Sequence, residues 1–284
     1  MRRQRAEYQV VPYSKYRRWM VAAYRWTARH KHMIHGLIEV DVTRARTILR
    51  EHQAVTGESL SFTAFLATCL AKAVDEHKAV QAYRQGGKHL VLFEDVDIYV
   101  VIEHDVAGEK YIIPYVIRAA NRKTLRELHQ EIRAAKGVEV NHFLKRLPFL
   151  FLPTALFRPF LWVFAGIGRR HARLWKTTMG TVGITAVGMF GNGAGWGIPP
   201  ATPTTLMLTV GGIGEKQAVV DGRVAVREYL SLTISVDHDI VDGAPAARFT
   251  RRLKELIESG YGLAEITAEP AYASMPAATG RGRS

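Results

Sequence analysis

A histidine and an aspartate four residues apart, His238 and Asp242, have the side chains and the spacing that acid–base chemistry uses. Imidazole groups exchange protons near neutral pH, and a nearby carboxylate can fix the tautomer and orientation of the ring. Gly243, which follows, is expected to let the backbone bend closely. The motif is thus interpreted either as a general base with its support or as ordinary loop residues before a helix. For one short motif alone, the second interpretation is favoured.

The residues on either side predict a strand that leads into a helix. Apolar and polar residues alternate from Leu230 to Asp237, as in a strand with one buried face. From Pro245 the apolar residues follow a helical period, and Gly260 suits a C-terminal cap. The helical stripe consists of Phe249, Leu253, Leu256 and Ile257. His238 is therefore predicted to lie in the turn between the strand and the helix.

The composition predicts a protein with a sizeable core, since 48 % of the 284 residues are hydrophobic. The single cysteine, Cys69, excludes an internal disulfide framework and a cysteine-rich metal site, and no metal is expected. Cys69 falls on the apolar stripe of a predicted helix, so it is interpreted as a core residue. The first residues are charged and lack the apolar segment of a secretory signal, which predicts a cytoplasmic protein.

The net charge of +13 predicts attraction to anions, whether nucleic acid, acidic lipid or a phosphorylated ligand such as coenzyme A. Nine lysines and arginines lie in the first 31 residues and form either a solvated basic arm or a binding patch. No zinc-finger spacing or RNP-type aromatic motif accompanies them. A nucleic-acid partner is therefore not expected.

Helical and strand periods interleave irregularly along the chain, which predicts one mixed α/β domain. Helices are predicted from Ser14 to Ala28, after Thr43 as a cap, over 59–77 and from Asn121. Strands are predicted over 37–42, 90–93, 96–103, 111–117, 179–188 and 205–210, with turns at 107–108 and 221–222. The domain is predicted to span 10–265, after a basic arm of residues 1–9 and before a disordered tail of residues 266–284.

An apolar insertion at about 138–176 does not fit this alternation. Residues 147–167 are almost wholly apolar, interrupted only by three prolines and Arg158, and are flanked by basic pairs. Prolines break helices and an arginine in mid-span is costly in lipid, which disfavours a transmembrane helix. The basic flanks suit an interfacial anchor and thus contact with a membrane surface. A buried subunit surface or substrate channel is the third interpretation.

Five ordered segments carry a resemblance to a known family. They are 12–18, 113–123, 180–188, 199–212 and 235–249, the last including the pattern Asp-His, Asp-Gly and Ala-x-x-Ala-Arg-Phe. Their order and residue patterns resemble those of the catalytic domain of the dihydrolipoyl acyltransferases of 2-oxoacid dehydrogenase complexes, which are relatives of chloramphenicol acetyltransferase. The likeness covers about residues 10–260. Five matches in the same order favour the general-base interpretation of His238 over that of ordinary loop residues.

This resemblance implies a coenzyme A-dependent acyltransferase with the mixed sheet of chloramphenicol acetyltransferase. His238 would take the proton from a thiol, and Thr185, at the family's serine position, would stabilise the oxyanion. Asp242 would be a structural carboxylate held by an arginine near the N-terminus, with Arg18 the first choice and Arg17 the second. The family fold, a mixed sheet flanked by helices, assembles as a trimer, so the resemblance implies a homotrimer or a higher cage. Active sites at the subunit interfaces imply that Thr185 and His238 meet across two chains.

The sequence departs from the family pattern in several places. Asp239 stands where the family usually has arginine, which adds a negative charge beside the histidine, and Gly183 replaces a hydroxyl residue. The 284 residues contain no lipoyl or subunit-binding domain, which predicts a stand-alone enzyme. Acyl-coenzyme A is then the expected substrate, and any lipoyl group would be carried on a separate protein.

Three functions remain open from the sequence. The first is acyl transfer between coenzyme A and a thiol such as dihydrolipoamide. The second keeps the histidine chemistry but transfers the acyl group to a hydroxyl or an amine. The third is a non-catalytic trimeric scaffold or a membrane-associated assembly partner that retains the fold.

Overall fold

The strand that leads to His238 lies in a six-stranded mixed sheet, seen here in a computed structural model. The structure describes residues 8–11, 13, 15–106, 109–137, 154–168, 170–188 and 193–267. The strands of the sheet are β1 (Met33–Asp41), β4 (Ile98–Val106), β5 (Glu109–Ile117), β6 (Val182–Ala186), β7 (Leu206–Val220) and β8 (Arg223–Asp237). A separate hairpin pairs β2 (Tyr83–Gln85) with β3 (His89–Val91).

The order of the strands is β1-β8-β7-β6-β4-β5. β6 runs parallel to both of its neighbours, whereas the remaining pairs are antiparallel. The predicted turn between β7 and β8 is confirmed, because Asp221 (φ 50°) and Gly222 (φ 76°) both have the left-handed backbone that a tight hairpin turn requires.

Eight α-helices and two short 3-10 segments surround the sheet within the described residues. The α-helices are α1 (Lys15–Ala28), α2 (Thr43–Thr56), α3 (Phe62–Glu76), α4 (Leu125–Gly137), α5 (Thr154–Gly168), α6 (Ala172–Met179), α7 (Gly243–Ser259) and α8 (Ala264–Thr267). The 3-10 segments are Lys78–Gln81 and Ala120–Arg122. The predicted mixed α/β architecture is confirmed.

One face of the sheet packs on α2, α3, α4 and α7 and forms the core. The predicted stripes of α4 and α7 are buried there, as is Cys69 on α3. Burial raises the pKa of the Cys69 thiol far above its usual range, which agrees with a core role. Gly260 caps α7 in the left-handed conformation, as predicted.

Two local predictions are wrong. Thr43 is the first residue of α2 rather than its cap. Its hydroxyl is engaged elsewhere, because it accepts a hydrogen bond from the Glu228 amide and so connects α2 to β8. Pro159 lies inside α5 and does not end it. Beyond this proline the helix packs inward through Phe164, which contacts Trp175, and through Ala165, which is 1 % exposed. Pro148, Pro153, the 107–108 turn and the tail from 268 onward lie outside the described residues.

The opposite face of the sheet is covered by the glycine-rich segment 193–203. The Gly195 amide donates to the Ser231 hydroxyl, and the Trp196 indole donates to the Ile38 carbonyl. A Cβ on Gly212 would lie 1.9 Å from a carbonyl oxygen of this segment. The glycines therefore allow close packing of backbone on backbone over the polar face of β8.

A second layer of helices, α1, α5 and α6, packs at the edge of the fold. Trp175 of α6 contacts Trp26 of α1, Phe164 of α5 and Tyr83 of β2, and so joins this layer. Within the described ranges, no helix combines the length and apolar character needed to cross a bilayer.

Candidate active site

His238 directly follows β8, in a turn that backbone hydrogen bonds hold. The Asp237 amide donates to the Thr205 carbonyl and the His238 amide to the His32 carbonyl, both at 2.9 Å. The Val241 amide closes the turn by donating to the Asp237 carbonyl at 3.0 Å. The His238 side chain is exposed, and no hydrogen bond joins it to a described residue. A fixed backbone thus presents an accessible imidazole, as a general base requires.

Asp239, beside the histidine, is held by two basic residues. Its carboxylate oxygens lie 2.7 Å from Nδ1 of His32 and 3.0 Å from the guanidinium of Arg84. The hydrogen bond with His32 lowers the pKa of the Asp239 carboxyl, and the charge of Arg84 adds to this effect. The negative charge beside His238 is therefore largely balanced by its neighbours.

Asp239→Arg, which installs the residue that the family resemblance predicts at this position, is expected to destabilise this chain. The substitution removes the hydrogen bond to His32 and the ion pair with Arg84, and it places a further positive charge beside Arg84 and Lys31. The expected loss is about 1–2 kcal/mol in the free energy of unfolding. Urea unfolding at pH 7 measures the loss. Asp239→Asn is the matched control and is expected to lose less, because it adds no positive charge. An Asp239→Arg variant as stable as the native protein would contradict this role of the cluster.

Lys31 contacts the residues on which the same turn rests. Its ammonium group donates to the Thr204 carbonyl at 2.7 Å and lies 3.7 Å from a carboxylate oxygen of Asp237. The side chain is only 12 % exposed. Burial lowers the pKa of Lys31 to about 8, although Asp237 acts in the opposite direction. The chain segment before β1 is thus fastened to the residues just before His238.

The lowered pKa of Lys31 predicts that stability rises with pH in alkaline solution. Between the folded value of about 8 and the ordinary value of 10.5, the unfolded chain binds the proton more tightly than the folded one. The free energy of unfolding of the native protein should therefore rise, relative to Lys31→Met, by up to about 1.4 kcal/mol per pH unit. Urea titrations of both proteins at pH 8, 9 and 10 measure this, and parallel pH curves would exclude it.

Asp242 and Gly243 occupy the start of α7. Asp242 is the N-cap residue, but its exposed side chain makes no capping hydrogen bond. Arg18 lies exposed on α1, and no ion pair joins it to Asp242 in the described part of the chain, so that partnership stays a prediction. A Cβ on Gly243 would meet no atom within 4 Å. The role of Gly243 in supporting the site therefore stays a prediction.

Thr185 is half-buried on β6, in a row of three threonines across adjacent strands. It pairs with Thr209 of β7, which pairs with Thr233 of β8. The hydroxyls of Thr209 and Thr233 are buried and have no hydrogen-bond partner among the described residues. Next to this row, a Cβ on Gly183 would lie 2.4 Å from the Met207 methyl group. Gly183, which stands where the resemblance predicts a hydroxyl residue, therefore leaves space for the Met207 side chain.

The strand register keeps Thr185 and His238 apart within one chain. Thr185 is level with Thr233 on β8, two strands away. His238 comes after Asp237, which is four residues beyond Thr233. At about 3.3 Å per residue and about 4.8 Å per strand, the Cα atoms of Thr185 and Asp237 lie about 16 Å apart, and His238 follows Asp237. One chain therefore does not bring the two predicted catalytic groups to a common substrate atom.

Sequence patterns did not identify Lys31, His32 and Arg84 as part of the site. The sequence signal for Lys31 and His32 was only a basic turn after α1, and Arg84 lies in a three-residue strand without periodicity. These residues contact a turn about 150 to 200 positions further along the chain. The sequence did contain one signal. Asp239 is an acidic residue with no lysine or arginine close to it in the sequence, which indicates that basic residues from elsewhere in the chain lie near it.

Comparison with known proteins identifies relatives over most of the chain. A model of the 2-oxoacid dehydrogenases acyltransferase catalytic domain matches residues 5–141 and 170–264 and omits the apolar segment between them. The lipoamide acyltransferase component of a branched-chain alpha-keto acid dehydrogenase complex from Bacillus subtilis is 27 % identical over 231 residues. That match covers 78 % of this chain and 46 % of the relative, so this chain spans about half the length of that protein.

Two solved structures share the fold. The dihydrolipoamide acetyltransferase of Azotobacter vinelandii has a TM-score of 0.66 and 21 % identity, covering 91 % of this chain and 94 % of that one. The cubic core of the pyruvate dehydrogenase multienzyme complex has a TM-score of 0.65 and 21 % identity, with the same shares covered. The sheet and its helices therefore follow a known architecture.

Proposed function

Because the chain belongs to the 2-oxoacid dehydrogenase acyltransferase family, we propose that it transfers an acyl group between coenzyme A and a thiol acceptor such as dihydrolipoamide. The observation that carries this proposal is the exposed imidazole of His238, which projects from a turn whose backbone is held by hydrogen bonds at the end of β8. The family uses coenzyme A as a substrate and carries the lipoyl group on separate domains. We therefore propose a lipoyl-bearing protein as the partner.

In the proposed reaction, His238 takes the proton from the acceptor thiol, and the resulting thiolate attacks the carbonyl carbon of the acyl-coenzyme A thioester. A carbon–sulfur bond forms, and the carbonyl oxygen becomes an oxyanion. The Thr185 hydroxyl donates a hydrogen bond to that oxygen. When the intermediate collapses, the bond to coenzyme A breaks, and its thiolate takes the proton back from the His238 imidazolium.

We also propose that each active site lies between two copies of the chain. The separation of about 16 Å between the Cα atoms of Thr185 and Asp237, the residue before His238, supports this, because a tetrahedral intermediate is only a few ångströms across. A second copy can bring its Thr185 to the His238 of the first. Family members form trimeric cores of multienzyme complexes, so a homotrimer or a larger cage is the proposed assembly.

A panel of acyl-coenzyme A donors assayed with free dihydrolipoamide tests this function. Acetyl, succinyl and branched-chain donors are compared, and release of free coenzyme A is followed for each. Chloramphenicol and a primary amine replace the thiol in parallel reactions, which tests transfer to a hydroxyl or an amine. A thiol-dependent rate with one preferred donor is expected. No rate with any donor or acceptor would exclude both acyltransferase functions and leave a non-catalytic assembly role.

A further inference from the structure

Helix α5 exposes a stripe of large apolar side chains. Leu156, Phe160, Val163 and Ile167 follow one another at helical spacing and are 54, 36, 61 and 45 % exposed. Trp162 beside them is 58 % exposed. The other face of α5 packs inward through Ala165 and Phe164. A helix that is apolar on both faces needs a second apolar surface to cover it.

The surroundings of this stripe carry charge of one sign. The sequences of α1, α5 and α6 contain no aspartate or glutamate. Four arginines on α1, α6 and the adjoining turns are exposed and form no ion pair in the described part of the chain. They are Arg25, Arg29, Arg170 and Arg173. We call these arginines and the five exposed side chains of α5 the basic apolar surface.

The three helices are joined as one layer, so the charges and the stripe lie on the same part of the molecule. α5 packs against both α1 and α6. The rings of Trp162 and His30 lie 6.2 Å apart in an edge-to-face arrangement, which ties the stripe to the end of α1. The family model omits the segment that contains α5, so the common family fold does not account for this surface.

We propose that the basic apolar surface docks on a bilayer that contains anionic phospholipid, with α5 lying in the plane of the headgroups. Apolar side chains enter the edge of the hydrocarbon while arginines meet lipid phosphates. The 15 residues of α5 extend about 22 Å, short of the roughly 30 Å of hydrocarbon that a spanning helix crosses. Trp162 suits the interface, where aromatic rings concentrate.

Charge also argues against a second copy of the chain as the occupant. Docking of two copies through this same face would bring the arginines of α1 and α6 against one another, with no acidic residue on those helices to balance them. An anionic lipid surface supplies both the apolar layer and the opposite charge. The docking does not depend on acyl transfer. It would place the proposed enzyme at a membrane surface.

Co-sedimentation of the full chain with vesicles tests this proposal. Vesicles of phosphatidylcholine alone are compared with vesicles that also contain phosphatidylglycerol. Binding to the anionic vesicles is expected to be at least tenfold tighter and to weaken as salt is raised. Arg25→Glu with Arg173→Glu is expected to lower the affinity by at least about fivefold per arginine.

The apolar stripe is tested by Val163→Glu with Ile167→Glu, which should reduce binding tenfold or more. Val219→Glu with Val224→Glu is the matched control, since these valines are 74 and 69 % exposed on the β7–β8 hairpin. Quenching of tryptophan fluorescence by brominated lipid should fall in Trp162→Phe but persist in Trp196→Phe, which changes the exposed tryptophan of the glycine-rich segment. Circular dichroism melting verifies that every variant folds.

Three results would overturn the proposal. One is the absence of binding to anionic vesicles at low salt. Another is binding by the folded stripe variant that equals that of the native protein. The third is a smaller assembly of the stripe variant in light scattering with unchanged lipid binding, which would assign the surface to contact between subunits.

Discussion

His238→Ala is expected to lower the rate of acyl transfer from coenzyme A to dihydrolipoamide by roughly a hundred- to ten-thousandfold. The side chain is exposed and forms no hydrogen bond with a described residue, so its removal should leave the fold intact. The backbone amide that donates to the His32 carbonyl is kept. Steady-state assays with the preferred donor, over a range of pH, measure the loss.

His89→Ala is the matched control, because His89 is also an exposed histidine but lies on the separate β2–β3 hairpin. It should keep the native rate. Circular dichroism melting compares the folds of both variants with that of the native protein. If His238→Ala is folded and retains the native rate, His238 is not the base, and the proposed mechanism fails even if the chain transfers acyl groups.

Local patterns were sufficient to predict the elements that carry His238. Strand β8 and helix α7 follow from a change of period within about thirty residues, and no distant contact is needed to see it. β1 was predicted only from Leu37, although it begins at Met33. Its first residues include exposed Ile34 and His35, so they do not alternate clearly between apolar and polar. Pairing with β8 along the whole of β1 defines them as a strand.

The environment of the site could not be predicted in the same way. Lys31, His32 and Arg84 meet the turn around His238 only because β1 pairs with β8 and the β2–β3 hairpin lies nearby. Such contacts depend on the order of the strands in the sheet. Hydrophobic periodicity and secondary-structure propensity do not specify that order. The family resemblance supplied the identities of His238 and Thr185, whereas the separation between them follows from the register of β6, β7 and β8.

A mixture of two inactive variants tests whether the active site lies between subunits. Thr185→Ala should lower turnover by on the order of a hundredfold or more by removal of the oxyanion donor, while Thr185→Ser should retain most of the rate. His238→Ala removes the base. When the two alanine variants are co-expressed with different tags and purified as mixed assemblies, about a quarter of the native rate is expected.

This recovery follows from combining subunits at random. If each site takes His238 from one copy and Thr185 from its neighbour, about one interface in four joins two intact residues, because each copy supplies its intact side chain half of the time. A site contained in one chain would never be intact in such a mixture. Mixed assemblies whose rate stays at the average of the two variants would therefore exclude the site between subunits. The register of the sheet makes recovery the expected result, because it keeps the Cα atom of Thr185 about 16 Å from that of Asp237, the residue before His238 in its own chain.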